Sequence, residues 1–255
     1  RVEADVTKDD LEHGITFLAV NGLVLCPREL TPVLQSKADF IKGNLIPLED
    51  NAKILVGKHT VNHAFCQTLN ASTRLILVGD VDITEPLNVD DVQYIDKLEI
   101  VGKLKIAEEN LQLLGEKLVQ APTLHIGLTI PVGYTYVKQP LTLNAATLQR
   151  FSNAKLFTRH RVIVEKDVSA EALQQAVSHL QTSDYVICPE GLQQTLLTIS
   201  DVAGENLLTF SEELVVIEGK HTLTAAELKY RPSRFALLVD GKLRIADDVA
   251  PDEFF

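Results

Sequence analysis

The sequence predicts an α/β repeat array: a solenoid of strand, glycine kink, strand and helix units whose strands stack into a parallel sheet. Three observations predict it. A nine-residue block of alternating apolar residues around a central glycine recurs along the chain. Neighbouring copies commonly fall 22, 23 or 26 residues apart, and segments patterned as helices fill the gaps. A fixed period in this range marks stacked supersecondary units, none of which buries its apolar face alone.

The blocks come first. ILVGKHTV (54–61) and VVIEGKHTL (215–223) share the unusual spelling Gly-Lys-His-Thr behind an apolar run. LILVGDVDI (75–83), LEIVGKLKI (98–106) and LLVDGKLRI (237–245) keep the same frame, and LAVNGLVLC (18–26) opens the series. Weaker copies place His160, Leu128 and Pro189 at the centre, in 156–164, 124–132 and 185–193. Period-two alternation rich in Val, Ile and Leu is a strand signal. The central glycine falls on the inward phase, where a missing side chain permits a kink or a close backbone approach.

The helices follow. AEENLQLLGEKL carries Leu111, Leu114 and Leu118 on one helical face, and SAEALQQAVSHL carries Leu173, Ala176, Val177 and Leu180. Thr224 and Glu227 spell a capping box just after the second Gly-Lys-His-Thr. The expected organisation is an N-terminal cap over residues 1–16, about eight units over 17–245, and a C-terminal cap or tail over 246–255.

In period and in strand–helix alternation, the chain from about Leu18 resembles the leucine-rich-repeat family. The asparagine that follows the strand in that family is out of register here, with Asp80 and Lys103 at the nearest positions. The pattern fits a degenerate member or a β-solenoid with helical insertions. The resemblance implies a curved array used for protein–protein contact rather than catalysis.

Charge and composition narrow the function. A net charge of −11 and a pI near 5.1 argue against nucleic acid, whose phosphates such a surface repels. No apolar run is long enough to span a bilayer as a helix. Three widely spaced cysteines are poor material for a disulfide framework and point to a reducing compartment, so a cytoplasmic location is expected.

Gly-Lys-His-Thr is not a phosphate loop. That loop needs a glycine five residues before the Gly-Lys pair, where this chain has Ala52 and Leu214, and a hydroxyl residue directly after the lysine, where it has histidine. His59, His63 and Cys66 are weak candidates for a metal, because His59 sits in a strand block and no fourth ligand is near in sequence. No cofactor and no catalytic residue is expected. The enzymatic alternative is a groove hydrolase acting on a polysaccharide with two carboxylates, and 5% aromatic residues leave it few platforms for sugar rings.

Two strips carry the binding expectation. Residues following the block centres form an outward row that includes Lys58, Lys103, Arg161, Lys220 and Lys242, with Arg244 close by. These would receive an acidic protein partner. Upstream of the glycines, Ile54, Val56, Ile76, Val78 and Val101 fall on the outward phase yet are apolar. Something must cover them: the helices of the same chain, another domain, or a second copy.

Overall fold

The computed structural model describes residues 2, 5–48, 52–231 and 234–250. The chain divides into two compact units, Arg1–Val132 and Gly133–Phe255. Among the described residues it is an α/β protein with fifteen strands in several parallel sheets and nine short α-helices.

The first unit runs α1 (Lys8–Gly14), β1 (Leu18–Pro27), α2 (Thr31–Lys37), β2 (Ala38–Leu48), β3 (Ala52–Thr60) and α3 (His63–Cys66). It continues through β4 (Thr73–Ile83), α4 (Val89–Val92), β5 (Ile95–Ala107), α5 (Glu108–Leu114) and β6 (Leu124–Ile130). β1 and β2 form one sheet, and β3-β4-β5-β6 form another in sequence order. Gly57, Gly79 and Gly102 stand opposite one another in β3, β4 and β5, and Gly22 stands opposite Gly43 in β1 and β2. Gly43 marks a further copy that the sequence disguises, because Lys42 and Asn44 flank it and Pro47 interrupts the alternation behind it.

The stack requires glycine for a definite reason. Gly79 and Gly102 adopt φ of 129° and 139°, and a Cβ on either would lie 2.1 or 2.2 Å from the carbonyl oxygen of the preceding strand's glycine. No side chain fits there. Gly57 has the same backbone conformation at the sheet edge with nothing within 4 Å. β6 departs from the frame: Leu124 rather than Leu128 faces Gly102, and the register slips between Leu104 and Lys105. The expected centre at Leu128 is therefore wrong by four residues, with Gly127 absorbed in the irregularity.

The inner face of the β3–β6 sheet buries Leu75, Leu77, Leu98, Ile100, Leu104 and Ile106 against the connecting helices. Of these, α3, α4 and α5 are short and are started by a side-chain cap or an acidic first turn. Asn62 caps α3, and Asn88 with Asp91 forms a full capping box on α4. Asn110, fully buried in α5, ties one connection to the next. Its Nδ2 donates to the carbonyls of Ile83 and Glu85, both at 2.7 Å, and its Oδ1 accepts from Leu87 N–H at 3.0 Å.

The outer face answers the question of the apolar strip. Ile76 is fully buried and Ile54, Val78 and Val101 are partly so, packed with Leu23, Leu25, Ile46 and Leu48 of β1 and β2. The chain folds its own first sheet over the strip. A second copy is not needed there, and of the five candidate interface residues only Val56, on edge strand β3, stands mainly in solvent at 73%.

The second unit contains β7 (Tyr134–Val137), β8 (Leu141–Leu143), α6 (Ala145–Leu148), β9 (Ala154–Thr158), β10 (Val162–Val164), α7 (Ala170–Ala176) and β11 (Val177–Thr182). Then come β12 (Val186–Pro189), α8 (Gln193–Ile199), β13 (Leu207–Phe210), β14 (Glu213–Leu223), α9 (Ala225–Lys229) and β15 (Phe235–Ile245). Here the nine-residue blocks split. β7, β9 and β11 form one parallel sheet, β8, β10, β12 and β13 a second, and β14 with β15 a third. Leu141, Val162, Val186 and Leu207 stand opposite one another, at steps of 21, 24 and 21 residues.

A threonine replaces the glycine at these corners. Thr158 Oγ1 accepts from His160 N–H, Thr182 Oγ1 accepts from Asp184 N–H, and Thr182 donates to the His160 carbonyl. His160 is thus a corner and not a strand centre. Pro189 ends β12, and a 3₁₀ turn over Glu190–Leu192 leads into α8. Val177 and Leu180, expected on a helix, lie in β11, where pairing with β9 decides the matter. Of the capping box at Thr224 only half forms. Thr224 accepts from Glu227 N–H, while the Glu227 carboxylate turns to His221 and Arg231. Within the expected tail, residues 251–255 lie outside the described residues.

Two predictions test this packing. Gly79→Ala and Gly102→Ala should each cost about 3–5 kcal/mol of unfolding free energy, since backbone must move. Gly57→Ala, strained but unobstructed, should cost only about 1–3 kcal/mol. Equal costs in urea denaturation would contradict the stacked register. Asn110→Leu leaves one N–H and two carbonyls without their partner and should cost about 1–3 kcal/mol.

Candidate functional site

The central glycines divide each long strand into an upstream half covered by another sheet and a downstream half that stays open. On β3–β5 the downstream half carries Lys58, Asp80 and Lys103 in one row and Thr60, Asp82 and Lys105 in the next. With His59 they line a cleft of about 440 Å³. Opposite signs stand in register here, so Lys58 and Lys103 flank an acid instead of forming a basic strip. The imidazole Nε2 of His59 is buried without a hydrogen-bond partner among the described residues.

On β14 and β15 the downstream half is different. Lys220 stands opposite Lys242, and Arg244 follows two residues on, opposite Thr222. All three are exposed, and among the described residues none of their side chains makes an ion pair or hydrogen bond. Adjacent strands lie about 4.8 Å apart, so the three charges repel one another at close range. Of the six cations expected to receive a partner, these three stand together with no acid in register between them.

Arg161, expected in the outward row, does not belong to it. It is buried, with 7% of its surface exposed, and its guanidinium pairs with Glu218 and Asp240. The split of the block at the Thr158 corner turns it inward, where it pins β14 and β15 to the β8–β13 sheet. That interface is apolar: Ile163, Ile187 and Phe210 meet Leu214, Ala236 and Leu238. Tyr185 sits in it, its phenol pushed to a higher pKa by burial. Beside Arg161 opens a cleft of about 720 Å³, lined by Ile163, Phe210, Leu214 and Val216 and by Glu165, Lys166, Glu213 and Glu218. Phe210 is the one aromatic side chain in its lining.

The metal candidates do not converge. His63 and Cys66 share α3, but His59 lies in the separate strand cleft. Among the described residues no group of three or more His, Cys, Asp or Glu could hold a metal ion. His63 is engaged by Asp91 through Nδ1 and by Gln67 at 2.7 Å through Nε2. The Cys66 thiol is pushed up to about 11 by burial and by the Asp91 charge, so at neutral pH it is protonated.

One polar row escaped the sequence. Tyr134, Lys155 and His179 stand opposite one another on β7, β9 and β11. The Tyr134 hydroxyl is 2.8 Å from His179 Nδ1, and His179 Nε2 is 3.4 Å from Asp201. Burial, then Asp201, raises the Tyr134 pKa, so the phenol stays protonated. The row satisfies itself and presents no activated group. Only a match between distant strands creates it, and no local motif announces it.

Two outcomes are expected. Asp91 is held below the usual carboxyl range first by the Asn88 backbone N–H and then by His63. Its folded pKa is depressed, so its stabilisation is complete above the ordinary value of 3.8 and disappears as pH falls through the lower folded value. Asp91→Asn should flatten that part of the acid-denaturation curve. For the buried cation, Glu218→Gln with Asp240→Asn strands a guanidinium and should cost about 3–5 kcal/mol, whereas Arg161→Met frees two exposed carboxylates to hydrate and should cost less. The reverse order would show that Arg161 is not the desolvated partner.

No family model, curated protein or solved structure matches the chain.

Proposed function

We propose that this is a non-enzymatic binding protein, built as an α/β repeat solenoid of the leucine-rich-repeat kind, that receives an acidic segment of a partner protein on the open half of β14 and β15. The solenoid reading is supported by the parallel ladders, whose partners are 20 to 24 residues apart in every sheet. The binding reading rests on one observation: Lys220, Lys242 and Arg244 form an exposed, unpaired basic cluster on a protein of net charge −11. Such a cluster raises electrostatic energy in the free chain and lowers it when a carboxylate-rich strand arrives. The cytoplasm suits the three free cysteines, all buried. Among the described residues no helix is long and apolar enough to cross a membrane.

The test is titration with a fluorescent glutamate-rich peptide at two salt concentrations. Binding should weaken several-fold between about 0.05 and 0.15 M salt, as expected for exposed charges. The triple change Lys220→Glu, Lys242→Glu and Arg244→Glu should abolish it, while Lys58→Glu with Lys103→Glu should leave it nearly intact. Equal losses in the two variants would mean that net charge, not this face, governs the interaction.

A further inference from the structure

We infer that the cleft between the β8–β13 sheet and β14–β15 is a binding site for a small amphiphilic cation, an ammonium group carried on an aliphatic body. It occupies the upstream half of β14, apart from the basic cluster beyond Gly219. At about 720 Å³ it falls within the usual range for small-molecule pockets, roughly 300–1,000 Å³. Its walls are apolar on both sides, Ile163 and Phe210 from one sheet and Leu214 and Val216 from the other. Val216 is 39% exposed although it faces these apolar neighbours, so the two sheets leave aliphatic surface unclosed where they diverge.

Charge selects the ligand's sign. The lining holds two cations and three carboxylates, and both cations are already engaged. Arg161 is held by Glu218 and Asp240, and Lys166 Nζ donates to the Ser211 carbonyl. Glu165 and Glu213 are exposed, and among the described residues neither carboxylate has a hydrogen bond or an ion pair. An anion entering the cleft meets three carboxylates against one ammonium, Lys166, that no acid pairs among the described residues, so the lining as a whole favours a cation. An ammonium finds two acceptors, and a short alkyl chain behind it reaches the apolar walls.

The experiment compares octylammonium, octanol and octanoate on the full chain at neutral pH, by calorimetry and ligand-observed NMR. Octylammonium should bind about tenfold more tightly than octanol, with octanoate weakest, as charge-assisted hydrogen bonds imply. Shortening the ammonium's chain should cost about fourfold per methylene. Glu165→Gln with Glu213→Gln should reduce octylammonium to the level of octanol and leave octanol unchanged. Both residues are exposed, and an unchanged thermal melt confirms the fold of the variant. Val216→Arg, which brings a cation into the cleft, should suppress octylammonium binding. Three results would overturn the site: no binding of any probe at millimolar concentration, octanoate or octanol equal to octylammonium, or an ammonium affinity indifferent to the double variant.

Discussion

The close approach of one strand's glycine carbonyl to the next strand's glycine is the constraint on which the sheets depend. A carbonyl oxygen about 2 Å from the place of a Cβ leaves no residue but glycine, at Gly79 and Gly102 and again at Gly241 against Gly219. The positive φ at each position turns the strand without breaking its ladder. Register follows directly. A one-residue slip would drive a side chain into backbone and move every leucine of the inner face outward. Where glycine is missing, in the second unit, the strand itself divides and a threonine hydroxyl caps the corner.

The bend also divides the chemistry of each strand. Upstream, both phases are apolar, and each unit lays a two-stranded sheet over its four-stranded one. Burial of a side chain such as Ile76 or Ile163 gains about 1.5–3 kcal/mol, which is why neither face is left to water. Downstream, the outer phase turns polar and stays open. A single strand such as β14 therefore contributes Leu214 to a covered interface and Lys220 to an exposed face, with Gly219 between them.

Polar groups inside this frame are placed where they fasten neighbours. Asn110 closes three backbone bonds of the preceding connection, Arg74 neutralises the buried Glu99 at 3.0 Å, and Arg161 joins two sheets. None of these arrangements holds an activated nucleophile. Cys66 and Cys188 are both raised to about 11 by burial. The open groups are acids at the apolar cleft and cations on the β14–β15 face.

The sequence by itself determined the strands, their direction of alternation and the glycine frame, because a period of two and a missing Cβ are local properties of the chain. Ile54 to Thr60, Leu75 to Ile83 and Leu98 to Ile106 are legible for that reason. The mixed charges of Lys58, Asp80 and Lys103 were legible too, once a parallel register was assumed. Tertiary structure alone decided what lay across the space between sheets. That β1 and β2 cover Ile76, that Arg161 turns inward to Glu218 and Asp240, and that Tyr134 meets His179 all depend on residues dozens of positions apart. The four-residue error at Leu128 and the assignment of Val177 to a helix have the same origin: pairing with a neighbouring strand outweighs a short apolar pattern that fits either conformation.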